Sequence, residues 1–449
     1  MSKLQKDLTT GSVFRCLIMF ALPFLLSNIV QSLYNVADMY IVGKFDGPVG
    51  ISGVNIGGQV TFLMTNIVVG LSTGGTIIIA QYLGAKREDD AKQTISTMLV
   101  VLIMSAVVIT ALMLIFANQI LKLIQTPADS FAAAKEYLDV TVLGTVFIFG
   151  YNALSAVMRG MGDSKTPMIF VCVACVVNIF ADLFFVGVLK MGAKGAAIAT
   201  VMSQALSMIL CVIYLKKNNF IFDFSLKSFK FYKSKFNMIM KVGIPTAVQN
   251  VITNISFLVI TTLVNSIGVM ASAAVGVVGK FNGFAIMPVI AISSSISAMI
   301  AQNSGANRPD RVKKTLLYGF TIAFCITLPV FIIVKLFPGQ IIEIFDKTPQ
   351  MVEAGKVYLS VFAFDYLLVP FSFCFTGLMT GAGHTKFALL CSVASALLFR
   401  IPVSILFGMV LNMGLGGIAL AVPVSSFGGA LIGLGYFLSG KWKKSSIIK

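Results

Sequence analysis

The chain has 449 residues, 57% of them hydrophobic and only 11% charged, with a mean hydropathy of +0.93. A soluble domain carries about 25% charged residues, so this composition excludes a soluble fold. The net charge of +17 would suit nucleic acid, but its placement in the loops, taken up below, argues against that partner.

Lipid offers the backbone no hydrogen-bond partner, so the spans are helices or a closed barrel. The apolar runs are about 20–30 residues long, which fits helices. Barrel strands would alternate apolar and polar over about 10 residues, and these runs do not. Twelve helical spans are predicted in chain order, at 14–43, 51–84, 92–117, 131–158, 166–189, 194–216, 237–266, 271–303, 312–337, 353–380, 386–410 and 415–439. The first run is too long for the apolar core of a cleaved signal peptide. The longest connection, 217–236, is polar and basic, and divides the chain into lobes at 1–216 and 237–449. The seven cysteines all fall inside apolar runs and read as packing residues, the Cys172/Cys175 pair included.

With alternate loops assigned to opposite sides, the side holding both termini carries 24 Lys and Arg, and the other carries 8. This bias places both termini in the cytoplasm and the chain in the plasma (inner) membrane. The basic excess is then a topology signal with attraction to anionic lipid.

The two halves are repeats. "PFLLSN" from Pro23 matches "PTAVQN" from Pro245, and "AQYLGAKREDDAKQT" from Ala80 matches "AQNSGANRPDRVKKT" from Ala301. "MRGMGDSK" from Met158 matches "MTGAGHTK" from Met379, and "MGAKGAAIA" from Met191 matches "MGLGGIALA" from Met413. The matches keep their order at an offset of 221 or 222. Each repeat has an even number of spans, so both enter the membrane the same way round. They are expected to be related by a pseudo-twofold axis along the membrane normal. The expected fold is therefore an all-α polytopic membrane protein whose 12 helices form two pseudo-symmetric six-helix bundles with a cleft between them.

In span 1, Ser27, Gln31, Tyr34, Asn35 and Asp38 recur at spacings of 3 and 4 and share one face. Asn178 and Asp182 share a face of span 5, and Thr200 lies in span 6. At 1.5 Å per residue, Asp38, Asp182 and Thr200 lie about 8, 10 and 9 Å inside the outer ends of their spans. If they converge, two carboxylates cannot both ionise cheaply without a counterion. The group would then hold a shared proton or a cation such as Na⁺, ligated by oxygens of Asp38, Asn178, Asp182 and Thr200. A static hydrogen-bond cluster is the bland alternative. Asp139, beside Lys135 and Glu136, reads as an interfacial surface charge.

The second half differs: Asp365 and Arg400 fall near the middles of spans 10 and 11, with Lys280 in span 8. A compensating Asp365–Arg400 ion pair is the simpler reading, and a second ion or substrate site the sharper one. Pro23 and Pro245 kink matched helices and are candidate hinges. Glycine pairs at Gly53/Gly57 and Gly279/Gly283 read as close helix contacts. His384, the single histidine, reads as a solvated loop residue.

These residues together resemble the multidrug and toxic compound extrusion (MATE) family. The matching stretches are "LPFLLSNIVQSLYNVADMYIVG", "AQYLGAKR" with "AQNSGANR", "MRGMGDSKTP", and "NIFADLFF" followed by "GAAIATVMSQ". The resemblance implies two six-helix lobes forming a V-shaped cleft. It also implies export of cationic, amphipathic compounds in exchange for Na⁺ or H⁺. Asp38, Asn178, Asp182 and Thr200 match the first-lobe cation site of the branch resembling the DNA-damage-inducible F proteins. Tyr34 would line that cavity, with Gln31, Asn35 and Asn152 as further substrate-cavity candidates, and Pro23 matches the bending point. The NorM-like branch has a glutamate eight residues after the span 7 proline, where this chain has Thr253. Thr253, Asp365, Arg400 and Lys280 remain second-lobe candidates.

A secondary antiporter, working as a monomer with no cofactor beyond its coupling ion, is thus the leading expectation. A lipid-linked oligosaccharide flippase of related plan is the alternative; its anionic cargo would call for a cationic cleft. A membrane enzyme or channel is disfavoured, because no catalytic or metal-binding set of His, Cys and carboxylates occurs at suitable spacing. No ATPase motif is present either: "GMGDSK" joins two membrane helices and follows no strand.

Overall fold

The computed structural model describes residues 5–448. The described residues form helices α1 (Val13–Gly84), α2 (Glu88–Leu123), α3 (Ala128–Leu143), α4 (Thr145–Gly160), α5 (Lys165–Asp182) and α6 (Gly192–Lys217). After the linker come α7 (Lys233–Ile267), α8 (Val269–Gly305), α9 (Pro309–Leu336), the short α10 (Pro338–Glu343), α11 (Pro349–Phe362) and α12 (Asp365–Gly381). The last three are α13 (Thr385–Ala394), α14 (Ile401–Ile405) and α15 (Gly414–Leu438).

The 72 residues of α1 would extend about 108 Å, far more than one bilayer core of about 30 Å. It is two spans in one: the backbone leaves helical geometry at Gly47 (φ 69°, ψ −162°), and Pro48 starts the return leg. Glycine has no Cβ and takes this conformation freely. Two other spans are bent pairs, α3 with α4 at 55° and α11 with α12 at 48°. Counted in this way, the described residues contain the twelve expected spans. The bends fall at matched places, Gly144 in one half and just before Asp365 in the other, 221 residues apart. Wide π-type turns follow α5 at Leu183–Val188 and α13 at Ser395–Arg400.

The chain divides into two compact units. Unit 1 holds the described residues up to Asp7 and Leu22–Gly243; unit 2 holds Leu8–Ala21 and Ile244–Lys449. The opening turns of each repeat's first helix are therefore built into the other repeat's unit, and the exchange points adjoin Pro23 and Pro245. In unit 2, Leu8, Val13, Leu17 and Phe20 join the core of α8, α9 and α12, beside Met299, Leu316 and Leu378. The Arg311 guanidinium donates to the carbonyls of Gly11 at 2.8 Å, Thr10 at 3.0 Å and Leu8 at 3.2 Å. The Leu8 N–H donates to Gln302 Oε1 at 3.0 Å. In unit 1, the linker and α7 dock on α2 in the same manner. Lys235 is buried, donates to the Tyr82 hydroxyl at 2.9 Å and pairs with Asp90.

Close glycine contacts recur in both units. A Cβ on Gly160 would lie 2.8 Å from the Thr76 carbonyl, and one on Gly381 would lie 2.5 Å from the Ser297 carbonyl. Both pairs keep the repeat offset. Gly53 and Gly57 approach Ala133 and Tyr137 of α3 just as closely. The Gly279/Gly283 pair does not pack as the sequence suggested: no atom would lie within 4 Å of a Cβ on either, because this face of α8 has no helix against it. His384 is also placed differently, half-buried, with Nδ1 2.5 Å from the Tyr436 hydroxyl, because α13 and α15 fold an aromatic cluster around the loop.

These contacts imply opposite signs for one substitution. Gly381→Ala should destabilise unit 2 by about 1–3 kcal/mol through overpacking. Gly279→Ala should be neutral or stabilise by up to about 1 kcal/mol through helix propensity. Thermal unfolding of the purified variants checks both.

Candidate ion-binding site

The site lies in unit 1, where α1, α3, α5 and α6 meet. Asp38 is buried although Val36 and Tyr40 on either side are largely exposed, so the helix turns its carboxylate inward while neighbouring side chains face out. Asn178 and Asp182 are buried on one face of α5, and Phe180 between them is exposed. The i,i+4 stacking read from the sequence thus holds. The π-type turn begins at Leu183, directly after Asp182. Such turns widen a helix and recur at functional sites. Thr200 of α6 completes the group, and an apolar roof of Ile41, Val54, Val186 and Ala196 shields it.

Asp38 and Asp182 are neighbours within this buried group. The Asn178 amide, in its hydrogen-bonded orientation, donates to Asp182 Oδ2 at 3.0 Å and accepts the Thr200 N–H at 3.3 Å. It braces α5 against α6. Three oxygens at the group, Asp38 Oδ1, Asp182 Oδ1 and Thr200 Oγ1, are buried without a hydrogen-bond partner. A buried polar atom without a partner costs about 1–3 kcal/mol, and more if charged. Convergent orphan oxygens are the donor set that a proton or small hard cation would satisfy.

The phenols of Tyr34 and Tyr137 border the group. Tyr137 escaped the sequence reading, which treated that end of the span as interfacial surface. Its signal was Gly57: a Cβ there would lie 2.7 Å from the Tyr137 ring, so the glycine makes room for it. Asp139, two residues on, pairs with Lys135 at 2.6 Å at the partly exposed surface.

A small cavity of about 10 Å³ lies beside Asn178, lined by Gln31, Tyr34, Cys175, Asn178, Ser203 and Gln204 among others. Gln31 and Tyr34 of the substrate-cavity candidates line it. Asn35 is exposed, and Asn152 donates to Ile148 of its own helix at 2.8 Å; neither lines this pocket. Ser27 bonds back to the Pro23 carbonyl at 2.9 Å, a contact that favours bending beside the proline.

In unit 2, Asp365 stands in the first turn of α12 after the bend, not mid-helix, and is buried with Oδ1 unpartnered. Its expected ion pair with Arg400 is not formed. Arg400 instead donates to Ser425 Oγ at 3.1 and 2.9 Å and to Ser256 Oγ at 2.6 Å, and its guanidinium lies 4.3 Å from the centre of the Phe257 ring. Asp365 faces the adjacent Ser426, so serines stand between the two charges. Thr253 donates to its own helix at Gln249 O, 2.9 Å away. Lys280 is exposed on α8, beside the bare glycines.

A family model described as MatE matches residues 23–184 and again 245–406. The chain belongs to the MATE family. The two matched stretches are the two repeats. Among curated relatives, the probable multidrug resistance protein YpnP of Bacillus subtilis (strain 168) is 27% identical over 440 residues, covering 97% of each chain. The probable multidrug resistance protein NorM of Thermotoga maritima is 27% identical, covering 96% of this chain and 94% of its own. Among solved structures, a MATE in a bent conformation superposes with a TM-score of 0.91 at 22% identity, over 98% of both chains. A Pyrococcus furiosus transporter of the MOP superfamily, described as having a binding pocket of reverse polarity, gives 0.90 at 22% identity. This MATE chain is thus a multi-pass membrane transporter of two-lobe fold.

Gly57→Val should push Tyr137 away from Asp38 and Thr200. A Cβ there lies 2.7 Å from the Tyr137 ring and 3.2 Å from the Ala134 carbonyl, so the variant should melt lower, and a cation held by this group should bind about tenfold or more weakly, as measured by thermal unfolding and calorimetry on purified protein.

Proposed function

We propose that this transporter is a secondary active antiporter that exports cationic, amphipathic compounds in exchange for H⁺ or Na⁺. The observation that carries this reading is the grouping of the three orphan oxygens of Asp38, Asp182 and Thr200 beside a small cavity lined by Gln31, Tyr34 and Asn178. A site with two carboxylates and no fixed counterion changes charge when a cation enters or leaves. That change favours one conformation when the cation is bound and another when it is absent. A cationic substrate drawn to the same acids competes for their charge, so each ligand shifts the population that binds the other. The same oxygens serve a proton or Na⁺. Multidrug export is also what the printed names of the curated relatives describe for those proteins. The bias of Lys and Arg toward the loops on the side of both termini supports a plasma-membrane location with both termini cytoplasmic, and the proposal is of a monomer with no cofactor beyond its ion.

Asn178 acts here as a positioning group. It spends both ends of its amide on Asp182 and Thr200, holding α5 and α6 in register, and leaves the carboxylates to the ion.

Asp38→Asn keeps the volume and removes the charge. In proteoliposomes with pH and sodium gradients imposed separately, efflux of a cationic dye should fall to background, with an unchanged melting temperature. Wild-type efflux by the well-folded variant would overturn the reading. A lipid-linked oligosaccharide flippase is the second reading, favoured by one observation: Lys280 is exposed and has no carboxylate partner among the described residues. The two buried acids of unit 1 oppose it.

A further inference from the structure

The linker 217–236 was expected only to join two halves, yet it is a built structure. Ser96 of α2 anchors its main chain: the Lys230 N–H donates to Ser96 Oγ at 2.7 Å, and that hydroxyl faces the carbonyls of Ser228 and Lys230. The Tyr232 N–H donates to Thr97 Oγ1 at 3.2 Å. Asp223 accepts from the Ser225 N–H and hydroxyl, both at 3.1 Å, and closes the turn. Phe222 packs edge-on against both Phe224 and Phe229.

This scaffold borders an open pocket of about 540 Å³ against the start of α2. Lys92, Lys227 and Lys230 line it with Ser228 and Tyr232. Two carboxylates also line it, Asp89 and Asp223. Asp89 pairs with Lys92 at 3.4 Å, and Asp223 is turned into its serine cap. Lys227 and Lys230 have no acidic partner among the described residues. Beside them Leu226 is 91% exposed at the start of a short turn, and Phe231, packed against the Phe236 ring, is 50% exposed. An ordered loop with bare apolar tips and unpaired lysines suits a surface with an anionic layer over hydrocarbon. The loop leaves the bilayer-spanning α6 at Lys217 and rejoins α7 at Lys233, so its two ends lie at the membrane surface.

We infer that this pocket binds the phosphodiester headgroup of an anionic phospholipid, through Lys227 and Lys230, while Leu226 and Phe231 enter the acyl boundary. Lys92 and the Tyr232 hydroxyl supply further donors to the same phosphate. On the side given by the basic loops, the lipid belongs to the cytoplasmic leaflet. Binding would tie the linker, and through Lys235 and Asp90 the opening of α7, to the bilayer surface.

The test uses the full chain, delipidated in detergent and titrated with phosphatidylglycerol or phosphatidylcholine, with bound lipid counted by native mass spectrometry. One phosphatidylglycerol should bind in preference to phosphatidylcholine. Lys227→Gln with Lys230→Gln should weaken it about thirtyfold, at about 1 kcal/mol per lysine. Lys313→Gln with Lys314→Gln, an exposed pair on α9, should leave it unchanged. Leu226→Ser should weaken phosphatidylglycerol as well. All these side chains are exposed, so unchanged melting temperatures check folding independently. Equal losses in both lysine pairs would overturn the proposal in favour of diffuse charge. Displacement of the lipid by an equal concentration of glycerol phosphate would overturn it in favour of a free-anion site.

Discussion

A carboxylate held out of water inside a helical bundle is the constraint around which unit 1 is organised. Asp38 and Asp182 cannot both keep their charge in an apolar surround without a positive ion, and the packing supplies none. The rest of the lobe serves that unpaired charge. Asn178 braces the two helices that carry Asp182 and Thr200, the π-type turn lets α5 widen just past the acid, and Ile41, Val54 and Val186 exclude water above it. A lysine or arginine fixed between the two acids would neutralise them permanently.

The second unit shows what the repeat becomes when that constraint is relaxed. It keeps the architecture: the bend recurs at the matched position, and the glycine-on-carbonyl contact recurs at Gly381 and Ser297. Its polar load is rebuilt. Where unit 1 has Gly144 at the bend, unit 2 has Asp365, and Arg400 donates to Ser425 and Ser256 rather than pairing with it. A carboxylate and a guanidinium kept apart by hydroxyls leave each with spare hydrogen-bonding capacity. The Asp365 oxygen without a partner is the visible remainder.

Much of this was legible in the sequence because membrane spans obey few rules. Hydropathy and length located the spans, and the repeat offset paired the halves. The 3–4 spacing of Gln31, Tyr34 and Asp38 identified one face of span 1. The features that escaped depend on what lies opposite a residue, which spacing does not encode. Tyr137 sits in a stretch with surface charges, and only its packing against Gly57 brings it to the acids. Gly57 and Gly279 occupy matched positions, yet one is packed and the other bare. Arg400 and Asp365 have complementary charges, but Ser256, Ser425 and Ser426 decide how they meet. The linker looked like a polar spacer because its anchors, Ser96 and Thr97, lie more than 130 residues earlier.

The exchanged helix openings bear on how the protein is assembled. The hydrophobic segment Leu8–Ala21 leaves the ribosome well ahead of its partners, since Gln302 and Arg311 follow 294 to 303 residues later. During that interval the first unit can complete its own packing only with its opening strap unseated. The N-terminal segment must wait in lipid or in the insertion machinery until α8 and α9 emerge to receive it. Seating of the strap therefore belongs among the later steps of biogenesis, a closing stitch made with a segment synthesised 294 residues before its partner.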